Sequence, residues 1–396
     1  MLNLEMIKYL TNAFGPSGFE EEVVKVIAKH TKDMDIVNDA MNNVYVRLEG
    51  PVRELLCDGR EEKRWTGYTK TVQTAADSQK RDTLSNPRRK PVILLDAHSD
   101  ECGFMVQCIH ENGMLSMVML GGMDLTNLPA HTLLVRTRSG KKIRGIITSR
   151  PVHFMTDKDK SAPLDIQSIF IDVGASSKKE VEELGIHVGD PAVPEVSFEY
   201  DRERGLCYGK AFDNRMGCAC ILHTMNVLKK LGKELAVDVV GGFAAQEEVG
   251  TSGASVTSAQ VQPDLAIVFE GSPADDFYYG KERSQGALGN GTQIRCMDVS
   301  YISNPAFLGY AHEIADQKQI PYQDTVRRGG STNAGKISLS GRAVPVLVLG
   351  IPSRYVHTHY NFCAADDIES TVKLAVEVIR NLDEEKIRHL LHQDLI

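Results

Sequence analysis

Residues 242–251 read Gly-Phe-Ala-Ala-Gln-Glu-Glu-Val-Gly-Thr, so an apolar run ends at two adjacent carboxylates and a glycine turn. The residues before this stretch are also largely apolar, which predicts a buried strand over 236–245. Adjacent glutamates are most often a solvated pair. At the tip of a buried strand, however, Glu247 and Glu248 are placed to form a site, because open α/β sheets bind ligands at the carboxyl ends of their strands.

Three other apolar runs also stop at a residue that can bind a metal. Residues 92–97 end at His98, residues 265–269 end at Glu270, and residues 346–350 lie shortly before His357. Imidazole and carboxylate ligands together suit zinc, cobalt or manganese better than calcium. Because we find no cysteine at these four strand ends, a structural Cys-rich zinc site is disfavoured. The pattern predicts an α/β fold with a metal site at one edge of its sheet.

Three further positions could join this site, and each has a simpler explanation. His98 and Asp100 share a face on an extended chain, so the carboxylate could orient a metal-binding imidazole, although a local hydrogen bond would also explain the pair. Asp213 begins a predicted helix, where it could cap the helix or bridge two cations. His357 and His359 have strand spacing, and either could be a ligand.

Composition excludes several classes of protein. The chain has 396 residues, which suggests two domains, and 42% hydrophobic and 25% charged residues, as in ordinary globular proteins. A net charge of −8 argues against a nucleic-acid partner. Eight cysteines are too sparse for a disulfide framework, so we expect reduced thiols and a cytoplasmic location. We see neither a secretory signal nor an apolar stretch long enough to span a membrane, so no membrane partner is expected.

The order of the predicted elements indicates an inserted domain. Short strands with glycine turns fill residues 103–206, whereas strands and helices alternate after residue 209. We therefore predict a catalytic α/β domain from residues 1–102 and 207–396, interrupted by a β-rich domain at 103–206. Residues 57–90 are polar and are predicted to be a solvated insertion. The capping-box spacing that begins at Ser17 predicts a helix start near that residue.

Several separated motifs occur in the order of a known family. They are residues 97–106 (Ala-His-Ser-Asp-Glu-Cys-Gly-Phe-Met-Val), 211–215, 246–250, 264–276 and 354–357, with further signatures at 15–20 and 329–335. Together they resemble the M42 family of metallo-aminopeptidases over nearly all of the chain except residues 57–90. The resemblance implies a phosphorylase/hydrolase-like catalytic domain interrupted by a barrel or PDZ-like domain used in dimerisation. It also implies homo-oligomers, commonly tetrahedral dodecamers built from dimers.

The resemblance also implies roles for individual residues. Two divalent metal ions (zinc, cobalt or manganese) would be bound as follows: His98 and Glu270 on the first, Asp213 bridging both, and Glu248 and His357 on the second. Asp100 would orient His98, and Glu247 would be the general base. Two departures stand out, since the family more often has Asp at position 270 and many members have proline at position 359. The choice of His357 over His359 therefore rests on the match at 354–357.

The implied activity is release of N-terminal residues from peptides with a free N-terminus. A carboxypeptidase or deacylase that uses similar metals is the nearer alternative. A glycoside hydrolase with two carboxylates and no metal is a further one, but it would leave the histidines without a role. A non-catalytic binding protein would not need the full set of ligands together with Glu247. Basic residues such as Arg327, Arg328 or Lys281 could favour acidic N-terminal residues, although such charges are usually only solvated.

Overall fold

The computed structural model describes residues 2–56, 90–157, 162–232, 234–341, 343–392 and 394. The insertion predicted at 57–90, apart from Lys90, lies outside the described residues. In chain order the strands are β1 (Asp35–Asn38), β2 (Val44–Arg47), β3 (Val92–His98), β4 (Gly103–Ile109), β5 (Leu115–Leu120), β6 (Thr132–Arg136), β7 (Lys142–Ile147), β8 (Phe170–Asp172), β9 (Pro191–Pro194), β10 (Glu199–Asp201), β11 (Leu206–Gly209), β12 (Asp238–Ala244), β13 (Leu265–Pro273), β14 (Thr292–Met297), β15 (Tyr322–Val326), β16 (Val346–Arg354) and β17 (Asn361–Ala364).

The helices cover the faces of the sheets and connect their strands. They are α1 (Leu4–Asn12), α2 (Glu21–His30), α3 (Lys178–Glu183), α4 (Phe212–Leu231), α5 (Ser252–Val261), α6 (Pro305–Lys318), α7 (Asn333–Ser338), α8 (Ala365–Arg380) and α9 (Glu384–Leu390). The prediction of a helix start near Ser17 is wrong, because α2 begins only at Glu21. The Ser17 hydroxyl donates to Asp100 instead of capping the helix.

An eleven-stranded mixed sheet forms the larger unit, with β1-β2-β12-β3-β13-β16-β17-β11-β10 in order and β14 and β15 off this path. Its four central strands, β12, β3, β13 and β16, run parallel. Their carboxyl ends therefore meet at one edge. Strands β10 and β11 pair with β17, so this sheet resumes at Glu199, before the boundary that we predicted at residue 207.

Both faces of the central strands are buried, which explains why their sequences are continuously apolar. Because side chains alternate along a strand, Leu95 and Ile267 belong to one core and Leu94 and Val268 to the other. Helices α1, α4 and α8 cover the first face, and α5 and α7 cover the second. This double cover fixes the strand ends, and with them the side chains that follow.

The inserted unit is a closed six-stranded barrel in the order β4-β5-β8-β7-β6-β9. It has a hydrophobic core of its own, which includes Phe104, Leu133 and Ile171. The chain enters it from β3 and returns from it to β10 of the large sheet. The prediction of an inserted β-rich domain is thus confirmed in its barrel form. Among the described residues, no helix is long and apolar enough to cross a membrane.

Candidate active site

The residues singled out in the sequence meet at the carboxyl edge of the parallel strands. His98 is the last residue of β3, Glu270 lies in β13, and Glu247 and Glu248 follow β12. Asp213 comes from the first turn of α4, which starts beside β13. His357 follows β16 and completes the group.

His98, Asp213 and Glu270 form the first of two groups of potential metal ligands. All three residues are largely buried, and one ligand atom from each lies within 4.8 Å of the others. Nε2 of His98 is 3.0 Å from Oδ1 of Asp213 and 3.9 Å from Oε1 of Glu270. The same nitrogen is 3.8 Å from Oε2 of Glu247, which faces this group from the side.

The second group shares Asp213 with the first. Nε2 of His357 lies 3.3 Å from Oδ2 of Asp213 and 3.5 Å from Oε2 of Glu248. The two oxygens of Asp213 therefore face two different histidines. A carboxylate in this position can bind one cation with each oxygen.

Asp100 is buried behind His98 and holds several groups in place. Its Oδ1 is 3.3 Å from Nδ1 of His98 and accepts a 3.0 Å hydrogen bond from the backbone N–H of Glu247. Its Oδ2 accepts from the backbone N–H of Glu248 at 3.1 Å and from the hydroxyl of Ser17 at 2.6 Å. One carboxylate thus fixes the His98 ring and the turn that carries both glutamates.

The site concentrates negative charge away from water. Burial and the neighbouring carboxylate of Glu248 together raise the pKa of Glu247 to about 8, against the opposing effect of His98. Burial disfavours the imidazolium of His98, but Glu247, Asp100 and Asp213 outweigh this and raise its pKa well above the usual range. Burial also opposes ionisation of Asp213, yet hydrogen bonds to His357 and His98 lower its pKa. Positive charge is needed to keep these carboxylates ionised together.

Several features of the site fit divalent cations. Oε1 of Glu248 is buried and has no hydrogen-bond partner among the described residues. Gly121 leaves room next to it, since a Cβ there would lie 3.1 Å from Oε2 of Glu248 and 2.7 Å from Sγ of Cys102. Glycine also suits the backbone, because φ is +95° at this position. The donors are imidazole nitrogens and carboxylate oxygens, the set that zinc, cobalt and manganese accept.

A cleft of about 730 Å³ opens over both groups. Its wall carries three cationic side chains. Arg295 and Arg327 are engaged, by Asp298 at 3.2 Å and Asp275 at 3.0 Å respectively. The exposed ammonium group of Lys336 has no ion pair within the described part of the chain. The other lining residues include the following: Asp213, Glu247, Glu248, Glu270, Tyr278, Tyr355 and His357.

His359 does not join the site. Its ring stacks on that of His131 at a centroid distance of 4.3 Å, and burial lowers its pKa to about 3. The strand spacing that we inferred for the two histidines is wrong. Tyr355 and His357 have φ values of 63° and 62°, so the chain turns here and only His357 points to Asp213.

Two residues at the site were missed in the sequence. The thiol of Cys102 lies with Glu248 and His357 in a second cluster of potential ligands, although we expected no cysteine there. The hydroxyl of Ser17 reaches Asp100 from 83 positions earlier in the chain. The motif at 97–106 contains Cys102 and could have drawn attention to it, whereas no sequence signal links Ser17 to Asp100.

Comparison with known proteins identifies the family of this chain. Residues 83–374 match the model of the M42 glutamyl aminopeptidases. Glutamyl aminopeptidase from Lactococcus lactis is 32% identical over 77% of this chain and 85% of its own. The TET aminopeptidase from the archaeon Thaumarchaeota archaeon SCGC AB-539-E09 has a TM-score of 0.85, with 31% identity over 98% of this chain and 99% of its own.

A second solved structure is that of the TET1 peptidase from Pyrococcus horikoshii, which can assemble into a tetrahedron or a large octahedral shell. It has a TM-score of 0.77, with 25% identity over 96% of this chain and 99% of its own. The family model spans most of the chain, and these similarities extend over both the sheet and the barrel. The chain belongs to the M42 family of aminopeptidases and is a peptide hydrolase.

Proposed function

We propose that this enzyme is an aminopeptidase that depends on two divalent metal ions. The observation that carries the proposal is the placement of Asp213, whose two oxygens lie 3.0 Å and 3.3 Å from His98 and His357. In this arrangement His98 and Glu270 would hold the first metal and Glu248 and His357 the second, with Asp213 shared. Zinc, cobalt and manganese all suit these donors.

Metal ions bound there would polarise the peptide carbonyl and make a water molecule more acidic. The protein's own residues would do the rest. Glu247 is adjacent to a proposed ligand, only 10% exposed, and lies beside the first group without being part of it. Its carboxylate would take the proton of the attacking water and return it to the leaving amine. Asp100 would keep the His98 ring in its binding orientation.

Two features favour a substrate with a free amine and an acidic first side chain. The crowded carboxylates would attract an α-ammonium group, so a blocked N-terminus should be a poor substrate. Lys336 at the cleft offers an uncompensated positive charge to an acidic side chain. We expect Lys336→Gln to lower kcat/KM about tenfold for a glutamyl substrate, which equals roughly 1.4 kcal/mol, and to leave a leucyl substrate unchanged.

Lys373→Gln is the matched control for that variant. Lys373 is exposed on α8, and its replacement changes the net charge equally. An equal loss on both substrates, or in both variants, would contradict the assignment of Lys336 to substrate binding.

A panel of amino-acid p-nitroanilides tests the proposed activity. Free and N-acetylated forms are compared before chelation, after it, and with zinc, cobalt or manganese added back. Cleavage of the free-amine set alone, lost on chelation and restored by metal, is the expected result. Hydrolysis of N-acetyl amino acids would indicate a deacylase, and release of C-terminal residues from peptides would indicate a carboxypeptidase. Glycan cleavage that survives chelation would indicate a glycosidase.

We further propose that the barrel mediates self-association. Its surface exposes large apolar side chains, with Val152 67% and Phe154 76% exposed. These two side chains are close together in the connection between β7 and β8, and neighbouring exposed apolar groups favour a protein contact. Phe154→Asp should reduce the oligomer measured by light scattering, whereas Val227→Asp on α4 should not. An unchanged oligomer in the Phe154 variant would assign the contact to another surface.

A further inference from the structure

Cys102 lies where β3 passes into the barrel, next to the second group of proposed ligands. Its side chain is 9% exposed. Its Sγ, a carboxylate oxygen of Glu248 and a ring nitrogen of His357 all lie within 4.8 Å of one another. The thiol therefore faces the two side chains that the proposed function assigns to the second metal.

A second observation points to a ligand at this place. Glu248 has a side chain only 3% exposed, and its Oε1 has no hydrogen-bond partner in the described ranges. A small cavity is lined by Cys102, Glu248, His357 and Asp213 together. Gly121 borders the same place, and a side chain there would collide with the thiol. The thiol makes a long hydrogen bond, 3.9 Å, to the carbonyl oxygen of Gly122. The partnerless carboxylate oxygen, the thiol and the imidazole are three potential metal ligands grouped at one place.

We propose that Cys102 Sγ is a direct ligand of the second metal ion, an inference that rests on the proposed two-metal function. Donors around a tetrahedral zinc lie roughly 3.3–3.8 Å apart. Nε2 of His357 and Oε2 of Glu248 already have such a separation, 3.5 Å, and the thiol would have to approach them by at most roughly 1.5 Å on binding. As the metal–sulfur bond forms, the thiol proton leaves to solvent and no oxidation takes place. The second position then has four protein donors, from Asp213, Glu248, His357 and Cys102.

The thiolate changes which metals this position prefers. Soft sulfur ligands favour zinc, and cadmium more strongly, over manganese, whereas a site of oxygen and nitrogen donors alone discriminates less. We therefore expect the second position to bind Zn²⁺ and Cd²⁺ more tightly than Mn²⁺. Cys102→Ala should reduce this difference in affinity.

Cobalt titration of the full-length, metal-stripped protein tests the inference by spectroscopy. Thiolate bound to Co²⁺ gives a charge-transfer band in the near ultraviolet, which imidazole and carboxylate do not give. We expect the band to grow with one of the two equivalents and to be absent in Cys102→Ala, where that equivalent also binds at least ~10-fold more weakly. Cys108→Ser is the matched control, since Cys108 is an exposed thiol on β4 and its loss should leave the band intact.

The outcomes separate this inference from the proposed function. Binding of two equivalents without the band, or a band that persists in Cys102→Ala, would overturn the role of the thiol and leave the two-metal site standing. Absence of any metal binding would refute the proposed function itself. If the alanine variant does not fold by circular dichroism, Cys102→Ser replaces it, because a hydroxyl keeps the volume closely and lacks the sulfur band.

Discussion

Replacing Asp100 by asparagine separates the orienting role of this residue from its structural one. The amide keeps the shape of the carboxylate, but its Nδ2 must take the place of one oxygen. That nitrogen would then face the backbone N–H of either Glu247 or Glu248, each of which now donates to Asp100. One buried donor loses its acceptor in either orientation. We expect a loss of about 1–3 kcal/mol in the free energy of unfolding.

The same change removes the negative charge 3.3 Å from Nδ1 of His98. A neutral partner makes this imidazole a weaker ligand, so the first metal should bind ~10–100-fold more weakly. Urea unfolding of the metal-free protein measures the loss in the free energy of unfolding, and competition with a fluorescent chelator measures the change in metal affinity. Ser17→Ala is the matched control, since it removes a donor to the same carboxylate but leaves the His98 contact. Unchanged metal affinity in Asp100→Asn would refute the orienting role.

Three further predictions use other parts of the site and its support. Glu247→Gln should keep both metals and lower kcat by about 10²–10⁴; metal loss equal to that of Glu248→Ala, measured by elemental analysis, would contradict the division of roles. Arg215→Met should lower the free energy of unfolding by ~3–5 kcal/mol, because the buried guanidinium pairs with Glu101 at 3.3 Å and donates to the backbone carbonyls of Leu10, Ala13 and Gly15; a loss under ~1 kcal/mol in urea unfolding would contradict this. Burial and Asp100 raise the pKa of Glu20 to about 7, so the native state binds this proton more tightly than the unfolded state, and the free energy of unfolding falls as the pH rises from 4.5 to 7. The free energy of unfolding of Glu20→Gln should equal that of the wild type at pH 4.5 and exceed it at pH 8. Equal values at pH 8 would contradict this effect of Glu20.

The sequence was most informative where the position of a site residue depends on a single strand. His98, Glu270, Glu247 and Glu248 follow buried apolar runs, and parallel strands bring their carboxyl ends to one edge, so their meeting could be predicted. The barrel also followed from local patterns, namely short strands with glycine turns. These inferences need only the pattern of short apolar runs and the rule that links strand ends to ligand sites.

Contacts made by turns were not predictable in the same way. The positive φ values at Tyr355 and His357 turn the chain, so that His357 and His359 point to different places. Because neither residue with a positive φ is a glycine, the sequence gives no signal for this turn. Ser17 looked like a helix cap because its spacing to Glu20 fits a capping box, but both side chains are used elsewhere. Ser17 binds Asp100, and Glu20 accepts from the backbone N–H of Gly18 and Gln246. Hydrogen bonds to residues distant in sequence, Asp100 and Gln246, therefore took the place of the local capping box.

The central claim is that Asp213 is shared by two metal positions. A crystal structure of the zinc-loaded protein, with anomalous scattering recorded at the zinc edge, tests this most directly. We expect two peaks ~3.5–4 Å apart, one beside His98 and Glu270 and the other beside Glu248 and His357, each next to one oxygen of Asp213. A single peak, or two peaks of which only one contacts Asp213, would contradict the claim.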